Sequence, residues 1–204
     1  MYRLISFGMG YLLGGIQSAI LYGKLKGISI TEEGSGNPGT TNAIRVMGKK
    51  AGAIVFLADV LKAVVALLIA RVIFQDEPSI LVGLYSGMGA IIGHNYPLFF
   101  HFKGGKGIAT TAGTLLAIDY RMFLIAAAIF LICFGITRIV SLSSLLLAAA
   151  IPILTILFYC GQIGNIGIEA MLLSFIIAAL AFYRHKANIQ RLIDGTEARL
   201  TSKK

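Results

Sequence analysis

The chain alternates long apolar runs with short polar segments. Apolar residues dominate from Leu4 to Tyr22, Ala51 to Phe74, Ser79 to Ile92, Ile108 to Ile118, Met122 to Thr137, Ile139 to Cys160 and Ile168 to Tyr183. Most of these runs approach the roughly 20 residues that cross a bilayer, which predicts membrane helices. Gly8, Gly10, Gly14 and Gly15 in the first run would let helices approach closely in lipid. That run follows Arg3 but ends in no A-x-A cleavage site, so it reads as an uncleaved span rather than a signal peptide. In the third run, Gly83, Gly87, Gly89 and Gly93 predict one face pressed against a neighbour. Asp59 and Lys62, one turn apart inside the second run, predict an internal ion pair.

Parity decides how the short run is used. If the polar segments around residues 101–110 and 184–204 share one side of the membrane, an even number of spans separates them, and only three strong runs are available. Ile108 to Ile118 supplies the fourth. It is short by the 20-residue rule and therefore predicts a helix packed inside protein. The fold expected is an all-α integral membrane protein of one domain, residues 1–204, with seven transmembrane helices, the amino terminus outside and the carboxyl terminus cytoplasmic. Basic residues agree: Lys24, Lys26, Arg45, Lys49, Lys50, Lys103, Lys106, Arg138, Arg184, Lys186, Arg191, Arg199, Lys203 and Lys204 fall inside, and Arg3, Arg71 and Arg121 outside. Lys62 lies within a span. The polar segments at 24–50, 101–110 and 184–204 are then all cytoplasmic.

Composition strengthens the membrane assignment: 57% of the 204 residues are hydrophobic, 13% are charged and Trp is absent. A net charge of +9 would point to nucleic acid on a polar surface. Here the cations sit between apolar runs, which points to topology and to anionic lipid or phosphate instead, with no nucleic-acid partner. Cys133 and Cys160 lie in apolar runs without metal-ligand spacing and read as buried thiols. Nothing in the sequence calls for a metal or cofactor.

The polar segments carry the chemistry. In HNYPLFFHFKGGKGIATT, residues 94–111, Gly104, Gly105 and Gly107 surround Lys106 just before a helical pattern, an arrangement suited to wrapping a phosphate at a helix start. It is not a Walker loop, because Gly107 stands where Ser or Thr would bind magnesium and Phe100 where the first Gly belongs. In GSGNPGTTNAIR, Gly34 to Arg45, the side chains of Ser35, Asn37, Thr40, Thr41 and Asn42 are hydrogen-bonding groups on an irregular backbone, and Arg45 offers a planar fork for phosphate. An ordinary interfacial loop with Asx and ST turns is the competing reading of that segment. In the tail, His185 and Asn188 share one helical face, followed by Arg191 and Glu197. Its competing reading is a solvated amphipathic helix. Ser141 and Ser143, just after Arg138 on the same side, either join the site or satisfy a helix start. His94 and His101 read as structural, one closing a span and the other at the interface.

GSGNPGTTNAIR, GHNYPLFFHFKGGKGIAT and HKANIQRLIDGTE resemble, in order and spacing, the three motifs of the PlsY family of bacterial membrane glycerol-3-phosphate acyltransferases. The resemblance covers nearly the whole chain. It implies transfer of a fatty acyl group from acyl-phosphate to the 1-hydroxyl of sn-glycerol 3-phosphate, giving lysophosphatidic acid and phosphate, the first acylation of phospholipid synthesis. By position it implies that Ser35, Arg45, Lys106, His185 and Asn188 are catalytic, with Gly104, Gly105 and Gly107 forming the phosphate loop and Glu197 acting as a structural acid. Asn37, Thr41, Asn42, Lys103 and Ser141 are the further substrate-binding candidates. The implied setting is a bacterial inner membrane, with the site at its cytoplasmic face, and the implied partners are glycerol 3-phosphate, acyl-phosphate and the lipid bilayer.

Residue chemistry agrees with that expectation. An acyl-phosphate is a mixed anhydride with a good leaving group, so the demand is to hold two anions together and stabilise the developing oxyanion. Cations and amide donors suit this. Either His185 or the phosphate of glycerol 3-phosphate takes the hydroxyl proton; the phosphate is preferred, because no carboxylate is evident to orient the imidazole. The H-x-x-x-x-D pattern of other glycerolipid acyltransferases is absent, since the fifth residue after His94 is Phe99 and after His101 is Lys106. A transporter for a phosphorylated solute is the main rival, and a lipid-binding scaffold the third reading. A transporter would place polar residues near mid-membrane with internal repeats, whereas here they cluster at one face.

Overall fold

The computed structural model describes residues 1–159, 161 and 165–200, so Cys160, Lys203 and Lys204 of the sequence reading lie outside the described residues. Every regular element described is helical. The elements are α1 Tyr2–Gly14, α2 Ser18–Leu25, α3 Thr40–Met47, α4 Lys49–Ile73, α5 Ser79–Asn95, α6 Ile108–Ile118, α7 Tyr120–Thr137, α8 Val140–Tyr159, α9 Asn165–Arg184 and α10 Lys186–Ile193, with a 3-10 turn at Leu98–Phe100. By length and composition, five helical stretches can cross a membrane: Tyr2–Leu25, Lys49–Ile73, Tyr120–Thr137, Val140–Tyr159 and Ile166–Arg184. Helices α5 and α6, with 17 and 11 residues, rise only about 25 Å and about 16 Å. The chain forms two compact units, one from Met1 to Ile118 and one from Asp119 onward.

In the first unit, glycines set how closely helices pack. A Cβ on Gly89 or Gly93 would strike the backbone of Phe7 or Tyr11, and one on Gly10 or Gly14 would strike that of Ser86 or Ala90, so α1 and α5 cross with their backbones nearly touching. Gly83 and Gly87 face Ile118 and Thr114 of α6 instead. The four glycines of α5 therefore serve two neighbours rather than the single face expected. The reason is the 3.6-residue repeat: four-residue steps keep 83 with 87 and 89 with 93, while the pairs are rotated apart.

The first apolar run is not one continuous helix. It breaks at residues 15–17, where Gln17 adopts φ −94° and ψ 86°. A break exposes backbone groups that the interior must satisfy. Lys62 Nζ does so by donating to the Ile16 carbonyl at 2.7 Å, and the Gln17 amide donates to the His94 carbonyl at 3.1 Å. The short α6 has a similar device: Arg71 of α4 donates from both terminal nitrogens to its last carbonyls, Ala117 at 2.6 Å and Ile118 at 3.3 Å.

In the second unit α7 is capped by Asp119, whose carboxylate accepts the Arg121 N–H at 2.9 Å and pairs with its guanidinium at 2.7 Å. Beyond α10, Gly195 at φ +69° turns the chain, and Leu200 N–H donates to the Arg138 carbonyl at 2.8 Å. The tail is thereby folded back on the α7–α8 junction.

Candidate functional site

The loop before α3 is held from beneath by one amide. Asn42 is buried, accepts the Ser35 backbone N–H at 2.8 Å, and donates to the carbonyls of Ile30 at 3.1 Å and Glu33 at 2.9 Å. Both of its donors are thus committed to the loop. Gly34 and Gly36 adopt φ +61° and +68°, which lets the backbone coil around that amide. Ser35 and Arg45 stay exposed, whereas Asn37 and Thr41 are half-buried. Helix α3 packs on the start of α4, where Ile44 occupies the space a side chain at Gly52 would need and Ala43 joins Ala19, Ile30 and Val55 in a small core.

Farther along α4, about 10–15 Å by helical rise, stands a buried polar cluster. Asp59 Oδ1 pairs with Lys62 Nζ at 2.8 Å and accepts the Ser18 hydroxyl at 2.9 Å. The same Lys62 nitrogen lies 2.8 Å from His94 Nδ1. Asp59, Lys62 and His94 are 1%, 7% and 3% exposed. The ion pair is the one expected from sequence; its link to His94 was not.

His94 ends α5 directly beneath the glycine segment. Its carbonyl accepts the Gly105 N–H at 3.1 Å. A Cβ on Gly104 would collide with that carbonyl, one on Gly105 would take the place of His94 Nε2, and one on Gly107 would come within 2.9 Å of Asn95 Oδ1. Gly107 also has φ +82°. These glycines are thus required on the inner side of the loop, by the packing of α5, and not only where an anion would approach. Lys106 is half-buried, and Lys103 and His101 are exposed. The Gly107 carbonyl accepts both the backbone N–H and the hydroxyl of Thr111, at 2.7 Å and 2.8 Å, so the loop runs directly into α6.

The third segment, in the second unit, centres on Glu197. Its Oε1 accepts from Ser141 at 2.7 Å and Asn188 at 2.6 Å, and its Oε2 accepts from Arg191 at 2.6 Å. Burial pushes this carboxyl up, but the three hydrogen bonds and the Arg191 charge outweigh it and hold Glu197 below the usual carboxylate range. The Ser141 hydroxyl is thus given to Glu197 of this segment, while Ser143 makes the backbone contact at the helix start, to the Ile139 carbonyl at 2.9 Å. His185 is buried, with Nδ1 2.8 Å from the Ala181 carbonyl. A carbonyl can only accept, so Nδ1 carries the proton and, in the neutral ring, Nε2 does not. Among the described residues no three His, Cys, Asp or Glu side chains group as a metal site.

The first two segments are thus parts of one unit arranged along α4, and the third is a self-contained arrangement in the other. Sequence reasoning missed Gln17, Ser18 and the connection through His94. The available signal was a charged pair inside an apolar run beside a histidine that ends a span.

Comparison with known proteins gives a consistent picture. The family model described as glycerol-3-phosphate acyltransferase matches residues 4–195. A glycerol-3-phosphate acyltransferase of Pelodictyon phaeoclathratiforme is 37% identical, with 97% of this chain and 96% of the relative covered. One from Thermoanaerobacter is 37% identical, covering 100% and 98%. The crystal structure of PlsY (YgiH), an integral membrane glycerol 3-phosphate acyltransferase, in its glycerol 3-phosphate form superposes with a TM-score of 0.86 at 36% identity, over 98% of this chain and 96% of that one. Its lysophosphatidic acid form gives 0.84.

Proposed function

The chain belongs to the glycerol-3-phosphate acyltransferase family, and from that membership we propose that it moves a fatty acyl group from acyl-phosphate to the 1-hydroxyl of sn-glycerol 3-phosphate. The observation that carries the reading is that the family match spans Ser35, Arg45, Lys106, His185 and Asn188 together. The glycerol 3-phosphate and lysophosphatidic acid forms of the similar enzyme correspond to the acceptor and product proposed.

In this reading the GGKG loop and Lys106 hold the phosphate of glycerol 3-phosphate, and the exposed Arg45 of α3 meets the acyl-phosphate. Asn42 shapes the loop that presents Ser35, with Asn37 and Thr41 beside it and Lys103 adding positive charge. The 1-hydroxyl oxygen attacks the acyl carbonyl carbon, a carbon–oxygen bond forms, and the bond from that carbon to the phosphate oxygen breaks. Inorganic phosphate leaves. The hydroxyl proton passes to an oxygen of the acceptor's own phosphate. His185 Nδ1 rests on a backbone carbonyl rather than a carboxylate, the support expected of a positioning imidazole more than of a triad base. Asn188, oriented by Glu197, stands beside it, and Ser141 fixes Glu197 from the other side.

The polar segments face the cytoplasm from a bacterial inner membrane. Helices α5 and α6 add two short spans to the five long ones, giving seven with the amino terminus outside. The excess of Lys and Arg on the proposed inner side supports this. Purified protein given labelled glycerol 3-phosphate with acyl-phosphate, acyl-CoA or acyl carrier protein tests the reading. Lysophosphatidic acid from acyl-phosphate alone is expected. Product from a thioester donor alone, or from none of the three, would overturn it.

A further inference from the structure

Lys62 has three N–H donors and three acceptors around it: Asp59 Oδ1 at 2.8 Å, the Ile16 carbonyl at 2.7 Å and His94 Nδ1 at 2.8 Å. An ammonium has no lone pair, so His94 Nδ1 must accept, and the proton of the neutral ring sits on Nε2. That Nε2 edge lies against Gly105, in the space a side chain there would fill. The His94 carbonyl meanwhile takes both the Gly105 N–H and the Gln17 amide. One residue thus touches the glycine loop through its ring and its backbone, and Asp59 and Lys62 set its tautomer.

Charge burial of this kind is costly, and a hydrophobic replacement is often neutral or stabilising. Packing alone does not explain why α4 carries Asp59 and Lys62 in an apolar run. We propose that Asp59 and Lys62 are positioning residues for the phosphate loop: through His94 they fix where the Gly104–Gly107 backbone stands, and so its affinity for the phosphate of glycerol 3-phosphate. The proposal rests on the reading of that loop given above. Neither residue touches substrate. Ser18, which donates to Asp59, and the broken backbone at Ile16 belong to the same device. The break between α1 and α2 is then part of the loop's support rather than an irregularity.

The test compares the full chain in lipid nanodiscs with Lys62→Met and with the double variant Asp59→Asn/Lys62→Met. The double variant leaves no unpaired buried charge, which separates loss of positioning from loss of folding. In nitrogen-15 histidine spectra, wild-type His94 is expected to show an unprotonated Nδ1 and a protonated Nε2. Lys62→Met should move the proton toward Nδ1, because Asp59 Oδ1 lies 3.7 Å from it and can only accept, and the double variant should show mixed tautomers. Binding of glycerol 3-phosphate should weaken about tenfold, the loss of one charge-assisted hydrogen bond, and its KM should rise by the same factor while the KM for acyl-phosphate holds. A purely structural role would lower the folded yield and the apparent kcat with both KM values unchanged. That result in the double variant overturns the proposal, as does a wild-type His94 protonated at Nδ1. Wild-type protein that binds glycerol 3-phosphate without acylating it would refute the proposed function, and the tautomer and binding comparison would then decide the positioning role alone. Absence of binding would refute both.

Discussion

Glu197 offers a graded prediction. Replacing it by Ala removes one acceptor from Ser141 and Asn188, each only 6% exposed, and an ion-pair partner from half-exposed Arg191. Leaving a buried donor without its acceptor costs about 1–3 kcal/mol, whereas an exposed pair is worth about 0–1 kcal/mol. The sum is roughly 3 kcal/mol, taken mostly from the docking of the tail on the α7–α8 junction. Gln in the same place keeps an acceptor for Ser141 and Asn188 and gives up only the charge, about 1 kcal/mol. Limited trypsin cleavage after Arg191 and Arg199, at low protease and in native membranes, reads the open population. The Ala variant should be cut about a hundredfold faster than wild type and the Gln variant about fivefold faster. The kcat/KM for acyl transfer should fall in the same order, because Asn188 loses its orienting partner. An Ala variant as resistant and as active as wild type would refute the reasoning.

Three further outcomes follow from the same geometry. The depressed carboxyl of Glu197 contributes stability that is fully present above the ordinary Glu value and is lost as pH falls through its lower folded value. Tail protection should therefore hold from neutrality to about pH 4 and decline below it, and Glu197→Gln should abolish that decline. Gly105→Ala should impair glycerol 3-phosphate binding more than Gly48→Ala, although of the two only Gly48 has a positive φ, at +88°, because only at Gly105 does a methyl meet the His94 ring; equal effects on KM would contradict this. Arg71→Met should lower the unfolding temperature by several degrees without changing either KM, since it uncaps α6 far along α4 from the loop.

How much of this was legible in the sequence depends on the physical signal. Apolar run lengths mark the helices, and the eleven-residue α6 has the same bounds, Ile108–Ile118, as its apolar run in the sequence. The charged pair Asp59–Lys62 was visible from helical spacing. What spacing could not give was the third partner, because His94 is 32 residues from Lys62 and only the tertiary fold brings them together. The break at residues 15–17 was invisible for a related reason: Gly15 and Gln17 do not interrupt an apolar pattern strongly, and the bonds that make the break tolerable come from α4 and α5. From sequence, Gly104, Gly105 and Gly107 read as room for an approaching anion; the close approach that the structure shows is that of α5 from within, which spacing along the chain does not reveal.

The central assignment, that the GGKG loop holds a substrate phosphate, is tested most directly by Lys106→Ala in purified, membrane-inserted protein assayed with glycerol 3-phosphate and acyl-phosphate. Membrane insertion should match wild type while the KM for glycerol 3-phosphate rises at least tenfold or turnover is abolished, as expected when one charge-assisted phosphate contact is removed. Turnover and KM unchanged from wild type would contradict the assignment and the functional reading built on it.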